Sequence, residues 1–473
     1  MAAGPNTSSR TTLTLIDGAQ IVVPDSLELI TPYVLREQED WFEDEIKFLR
    51  RVLRPGQTAV DIGANYGVYT ASIARAVGPT GSVWAFEPAT ETASYLADTI
   101  AANAFTQVVL ERSALSRVPG TATLNLTPHS ELNSLVRGGM QAATTETVRL
   151  VTLDDCMASY GWQQIDFVKI DAEGEEMNIL EGGGKFLASQ SPLIQYEIKD
   201  GNSVHLELVE AFRKLGYVSY QLVPGLDALV PFRAGSAADG FLLNLFCCKD
   251  DQAAQLAARG HLLREMDLTK TWKDRVRGVF GSPRGDWRQM LTRMPYGRTL
   301  APAWNKTLEG GESRDVESAL SDYAGSREKK APLASRFRAL EASFATLTAV
   351  CAREPTYLRL GSLARVARDW GARHVAVDAL NRLCNAIIRD SHCDASEPFL
   401  APGSRFDTLI PGEPLGDWVL AGVLEELELQ SAFSSFYTGV ASKPRLEAIH
   451  KLGFASPEMQ RRLALVNQRF SLP

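Results

Sequence analysis

A chain of 473 residues is too long for one ordinary domain, and more than one is expected. With 45% apolar and 22% charged residues it is globular rather than disordered. A net charge of −8 disfavours nucleic acid as a partner, and no apolar run approaches the roughly 18 residues of a membrane span.

Residues 1–57 open with two short alternating stretches, TLTLI and QIVV, joined at Asp17-Gly18, which predicts a hairpin. The stretch DWFEDEIKFLRRVL places Trp41, Ile46, Leu49 and Leu53 on one helical face, and Pro55-Gly56 stops it. Residues 58–250 then alternate apolar runs with helical patterns. The strand candidates are TAVDIG, SVWAFEP, TQVVLER, IDFVKID, LIQYEI, YVSYQLV and FLLNLFCCK. Such alternation predicts a parallel sheet with helices on both faces. Between the third and fourth candidates, TATLNLT … NSLV … VRLVTLDD alternates with period two, which predicts a β-hairpin inserted near the ligand-binding edge.

Residues 251–334 read as a helical segment followed by a Gly-, Pro- and Ser-rich linker (GSPRGDW, LEGGESRD, GSREKKAP). Residues 335–473 read as a separate all-α domain. Two of its helices turn at Gly371, another spans DWVLAGVLEELELQSAF, and the last begins at an N-cap, Ser456. The pair around Gly371 resembles one tetratricopeptide-type unit. No second copy follows, so a plain helical bundle is expected.

The N-terminus has no apolar core of signal-peptide length. Cys156, Cys247, Cys248, Cys351, Cys384 and Cys393 form no C-x-x-C pair and read as free thiols of a reducing compartment. A bacterial cytoplasm is the simplest location, and the sequons at Asn6 and Asn305 then carry no glycan.

The sharpest segment is AVDIGANYGVYTASIARAV. An apolar strand runs into Asp61, then Gly63, Asn65 and Gly67, then a helix, which is where open α/β sheets bind ligands. Glycines there let a ligand approach the backbone, and the helix N–H groups can receive a carboxylate. The loop lacks the G-x-G-x-x-G of a dinucleotide site. It suits S-adenosylmethionine, whose ammonium Asp61 can meet. Glu87, ending the next strand in AFEP, is spaced to hold both ribose hydroxyls. The plainer alternatives are a loop acid for Asp61 and a surface carboxylate for Glu87. Ser113, after the third strand, either borders the adenine or is an ordinary turn serine.

A second block, IDFVKIDAEGEEMNILEGG, together with DIGANYG, AFEP and VTLDD, resembles the FkbM-type methyltransferases from about Asp25 to Lys249. The resemblance implies a class I methyltransferase fold, Rossmann-like with a seven-stranded sheet. It implies S-adenosylmethionine as donor and an oxygen acceptor on a sugar, glycan or secondary metabolite. It also places Asp61, Gly63, Asn65, Gly67 and Glu87 at the donor, and Lys169, Asp171, Glu173 and Glu176 toward the acceptor. Protein, lipid or nucleic-acid methylation, and a degenerate domain serving as an interaction module, are the competing readings.

Strand periodicity points Lys169 and Asp171 the same way, so they either pair or both reach the acceptor. A hydroxyl acceptor calls for a base. The candidates are Asp171, which is favoured, Glu173 and Glu197, with His205 an outsider. Glu176 is expected to orient its turn. The neighbouring acids could instead hold a divalent metal, although none is assigned. Asn133 and Ser134 either line the acceptor pocket or are turn residues. The helical domain is expected to dock a glycosyltransferase or a carrier.

Overall fold

The computed structural model describes residues 9–136, 144–200, 203–233, 239–268, 284–309, 314–390 and 393–471. The sequon at Asn6 lies outside them. The chain divides into two compact units. One holds Met1–Leu222, Leu229–Ala238 and Leu242–Leu262, and the other holds Val223–Ala228, Asp239–Phe241 and Leu263–Pro473.

The first unit opens with the expected hairpin, β1 (Arg10–Thr14) against β2 (Gln20–Pro24). Two helices follow, α1 (Ile30–Gln38) and α2 (Asp44–Val52). Helix α2 buries Ile46, Phe48, Leu49 and Val52, with Asp44 and Glu45 in its first turn and Arg50 and Arg51 in its last, as the helix dipole favours.

The sheet is built from β3 (Thr58–Ile62), β4 (Ser82–Phe86), β5 (Val108–Glu111), β10 (Phe167–Ile170), β11 (Leu193–Glu197), β14 (Val218–Val223), β15 (Ala228–Pro231) and β16 (Asn244–Cys248). Their order is β15-β14-β16-β11-β10-β3-β4-β5. Strands β3, β4, β5, β10 and β11 run parallel, and β16 enters antiparallel between β11 and β14. All seven candidate strands are present. The sheet is nevertheless eight-stranded, because ALVP forms an edge strand beyond YVSYQLV. That stretch was too short to register as a separate apolar run.

Helix α3 (Val68–Val77) leaves β3, and α4 (Thr90–Ala102) leaves β4. The chain winds outward from β3 to β5, then returns to lay β10 on the other side of β3. The strand order therefore switches between β3 and β10, which opens a crevice beyond their carboxyl ends.

The predicted hairpin insertion is larger than expected. The strands β6 (Ala114–Leu115), β7 (Gly120–Leu126), β8 (Ser134–Leu135) and β9 (Thr144–Val151) form a four-stranded sheet of order β6-β9-β7-β8.

The second unit is helical. Its longer helices span Pro295–Leu308, Arg314–Ser326, Leu333–Arg353, Tyr357–Trp370, Arg373–Asp390, Leu415–Ser431 and Pro457–Arg469. Gly371 caps the first of the expected pair in the left-handed conformation, and the Ser456 side chain accepts from the Met459 amide. The stretch read as a linker instead carries Trp287–Thr292, Pro295–Leu308 and Arg314–Ser326. Val316, Ala319, Leu320 and Tyr323 bury one face of the last, so helical spacing prevails over the flanking Gly and charge. Tyr296, Phe399 and Trp418 form an aromatic core, with Tyr296 5.3 Å from Phe399 and 5.2 Å from Trp418.

Arg462, 1% exposed, pairs there with the equally buried Glu428 at 3.4 Å and with Glu458 at 2.9 Å. Replacing Arg462 by Met removes one charge partner of Glu428, which keeps Arg445 at 3.2 Å. The expected outcome is a loss of about 2 kcal/mol, read as a lower urea midpoint for the helical unit's transition.

Candidate functional site

In-register pairing across three strands sets Asp61, Lys169 and Gln195 side by side. Asp61 is fully buried at the tip of β3. One carboxylate oxygen accepts from Thr70 Oγ1 at 2.6 Å, while the other, Oδ1, is buried without a partner. Burial pushes this carboxyl above its ordinary range, and Lys169 and Thr70 oppose the shift. An unmatched buried acceptor is costly unless something donates to it.

The loop after β3 owes its glycines to packing as much as to ligand access. Gly63 has φ +78°, and a Cβ there would lie 1.8 Å from the Asp171 carbonyl oxygen. That close approach joins the donor loop to the end of β10, where the Asp171 amide donates to the Ile62 carbonyl at 3.2 Å. Gly67, φ +91°, caps α3, and a Cβ would meet Leu96 at 2.5 Å. Asn65 between them is also left-handed, which asparagine tolerates.

Glu87 is buried beyond β4 and accepts from the amides of Asn65 at 3.0 Å and Ala89 at 2.9 Å. Burial raises its carboxyl to about 7, opposed by those two amides and reinforced by Asp61 and Glu146. Ser113 is 1% exposed, and its hydroxyl has no partner. Two orphaned acceptors, a buried acid and an open loop at one sheet edge fit a ligand with an ammonium and vicinal hydroxyls. S-adenosylmethionine is such a ligand: Asp61 would hold its ammonium, Glu87 its ribose and Ser113 its base.

On the neighbouring strand, Lys169 Nζ donates to Asp171 Oδ2 at 2.6 Å, so the pairing alternative is the observed one. Asp171 is still 32% exposed at its side chain. Burial opposes the Lys169 charge, but Asp171, Asp61 and Glu43 override it and raise its pKa. Oxygens of Asp171, Glu173 and Glu197 lie within 4.8 Å of one another. Burial, then Asp171 and Glu173, push the Glu197 carboxyl up to about 11, which disfavours its ionised form beside Asp171. Glu173, φ +48°, and Gly174, φ +92°, make the sharp exit from β10. Glu176 accepts from the amides of Ala172 at 3.0 Å and Gly174 at 3.2 Å and orients that turn, as expected. His205 pairs with Glu207 at 2.6 Å instead of joining the acids.

Several site residues escaped the sequence reading. Tyr69 on α3 donates to Glu43, accepts from Gln195 Nε2 at 3.1 Å, and lays its ring 4.8 Å from Lys169 Nζ. The insertion reaches the donor loop through Ser130, whose hydroxyl donates to Asn65 Oδ1 at 3.0 Å. Asn133 instead accepts from the Thr127 amide at 2.8 Å, and Ser134 pairs with Asn125 within the insertion.

Residues 61–219 match the family model of the Methyltransferase FkbM domain. The chain carries an FkbM methyltransferase domain. Its methyl donor is S-adenosylmethionine. The match begins at Asp61 and takes in Glu87, Ser113 and the Lys169–Glu176 turn, but leaves Glu43 outside. No curated protein matches this chain.

Among solved structures, the chain is similar to Methyltransferase FkbM from Methylobacillus flagellatus KT (14% identity, 43% of this chain, 50% of that one, TM-score 0.28). It is similar to an rRNA methylase from Streptococcus thermophilus (12% identity, 44% and 94%, TM-score 0.26). It is also similar to a SAM-dependent O-methyltransferase from Thermotoga maritima (14% identity, 52% and 94%, TM-score 0.28). No described helix is long and apolar enough to cross a membrane.

Two outcomes follow for the FkbM domain. Calorimetry with S-adenosylhomocysteine should show binding to the native chain and its loss in Asp61→Ala and Glu87→Ala. Affinity should also rise with pH through about 7, because a protonated Glu87 gives up acceptor capacity to the ribose hydroxyls. Between pH 6 and 8 the change should approach about tenfold, and Glu87→Gln should flatten it.

Proposed function

We propose that the FkbM domain transfers the methyl group to a hydroxyl oxygen of a sugar, a glycan or a secondary metabolite. The observation that carries this reading is the half-exposed Asp171 at the tip of the strand beside Asp61. It is paired to Lys169, and oxygens of Glu173 and Glu197 lie within 4.8 Å of its own.

S-adenosylmethionine supplies a methyl group already activated on a positive sulfur. The protein's work is therefore alignment, worth roughly 7–11 kcal/mol of barrier, and removal of the acceptor proton. Asp171 is placed to take that proton. Lys169, bonded to it at 2.6 Å, and Glu197, whose carboxyl lies within reach, keep it oriented. Trp41 and Phe42, half-buried rings 4.6 Å apart beside Glu43, offer an apolar face of the kind a sugar's C–H surface covers.

Incubation with labelled donor and a panel of sugars and glycans should yield a methyl ether. Label recovered on an amine or a carboxylate would sink the hydroxyl assignment, and label recovered only on nucleic acid would sink the acceptor class. In the same assay, at saturating donor, Asp171→Asn should slow transfer by about 10²–10⁴-fold.

A further inference from the structure

Asp61 Oδ1 is buried and unpartnered although an ammonium stands in register with it on the adjoining strand. Lys169 could satisfy that oxygen, and a buried acceptor gains from any donor in reach. Instead Nζ turns along its strand to Asp171 at 2.6 Å, with the Tyr69 ring 4.8 Å away.

The Tyr69 ring is held in place from two sides. Its hydroxyl donates to Glu43, at the start of α2, and accepts from Gln195 on β11 at 3.1 Å. Glu43 in turn accepts from the Trp41 side chain and adds its own attraction to the Lys169 charge. Three segments distant in sequence therefore converge on one aromatic face, and that face lies against one cation.

We propose that Tyr69, tethered by Glu43 and Gln195, is a positioning residue that keeps Lys169 on Asp171 and so leaves Asp61 open to the donor's ammonium. The proposal rests on Asp61 being the donor acid. Without the tether, Lys169 can swing to Asp61 and compete with the ligand as an internal cation. A buried carboxylate satisfied by its own lysine binds a second ammonium poorly. Glu43 lies outside the residues matched by the family model, so this control belongs to the N-terminal segment of this chain.

The test is a double-mutant cycle read by S-adenosylhomocysteine binding in the full chain. Tyr69→Phe keeps the ring and removes both hydroxyl bonds. Glu43→Gln removes the tether's charge and serves if the first variant does not fold. Each should weaken binding by about fivefold or more, a coupling of the size found between contacting residues. Adding Lys169→Met to either variant should restore affinity to within about twofold of Lys169→Met alone, because the competing cation is gone.

Native affinity in both single variants would overturn the proposal. So would a loss that persists undiminished once Lys169 is removed, which is what a purely structural role predicts. Failure of the donor-site reading looks different, since Asp61→Ala would then bind as tightly as the native chain.

Discussion

A single ammonium, Lys169 Nζ, sits among the carboxyl groups of Asp61, Asp171 and Glu43 in a site largely closed to water. Desolvating a lone charge costs several kcal/mol, and only close opposite charges offset it. Those carboxylates keep Lys169 charged, and Lys169 in return keeps them from repelling one another. Most of the site follows from this mutual dependence. Asp171 is anchored, and Asp61 keeps one oxygen without a partner.

The sheet makes that arrangement possible. Because β10 returns beside β3, residues more than a hundred positions apart in sequence become neighbours. Gly63 then lets the two strand ends approach so closely that any side chain would strike the Asp171 carbonyl. The donor loop and the acceptor-side turn are thus one packed unit. The N-terminal helices and the inserted sheet complete its surroundings. Glu43 reaches Tyr69, Ser130 reaches Asn65, and Glu131 accepts from the Thr31 amide at 3.0 Å.

Much of this was legible in the sequence because it is local. Strand runs, the hairpin at Asp17-Gly18, the turn at Gly371 and the cap at Ser456 each depend on a few adjacent residues. So do Asp61, Glu87 and the Lys169–Glu176 turn, whose spacing carries their chemistry. Where the sequence misled, composition stood in for packing. Glycine and charge suggested a linker near residues 281–335, yet Val316, Leu320 and Tyr323 bury a helix there. For Glu197, spacing gave only a carboxyl near the acceptor side, and folding added the burial and neighbouring acids that raise its pKa.

The order of residues determined an α/β domain with an acid at each of two strand tips and a glycine-bearing loop between strand and helix. Periodicity and turn chemistry are properties of short stretches, so the chain alone reveals them. Tertiary structure decided which charges meet. The assembly of Glu43, Tyr69, Gln195 and Lys169 from four separate segments leaves no trace in spacing. Its energies exist only once folding has excluded water and brought those groups within a few ångströms of one another.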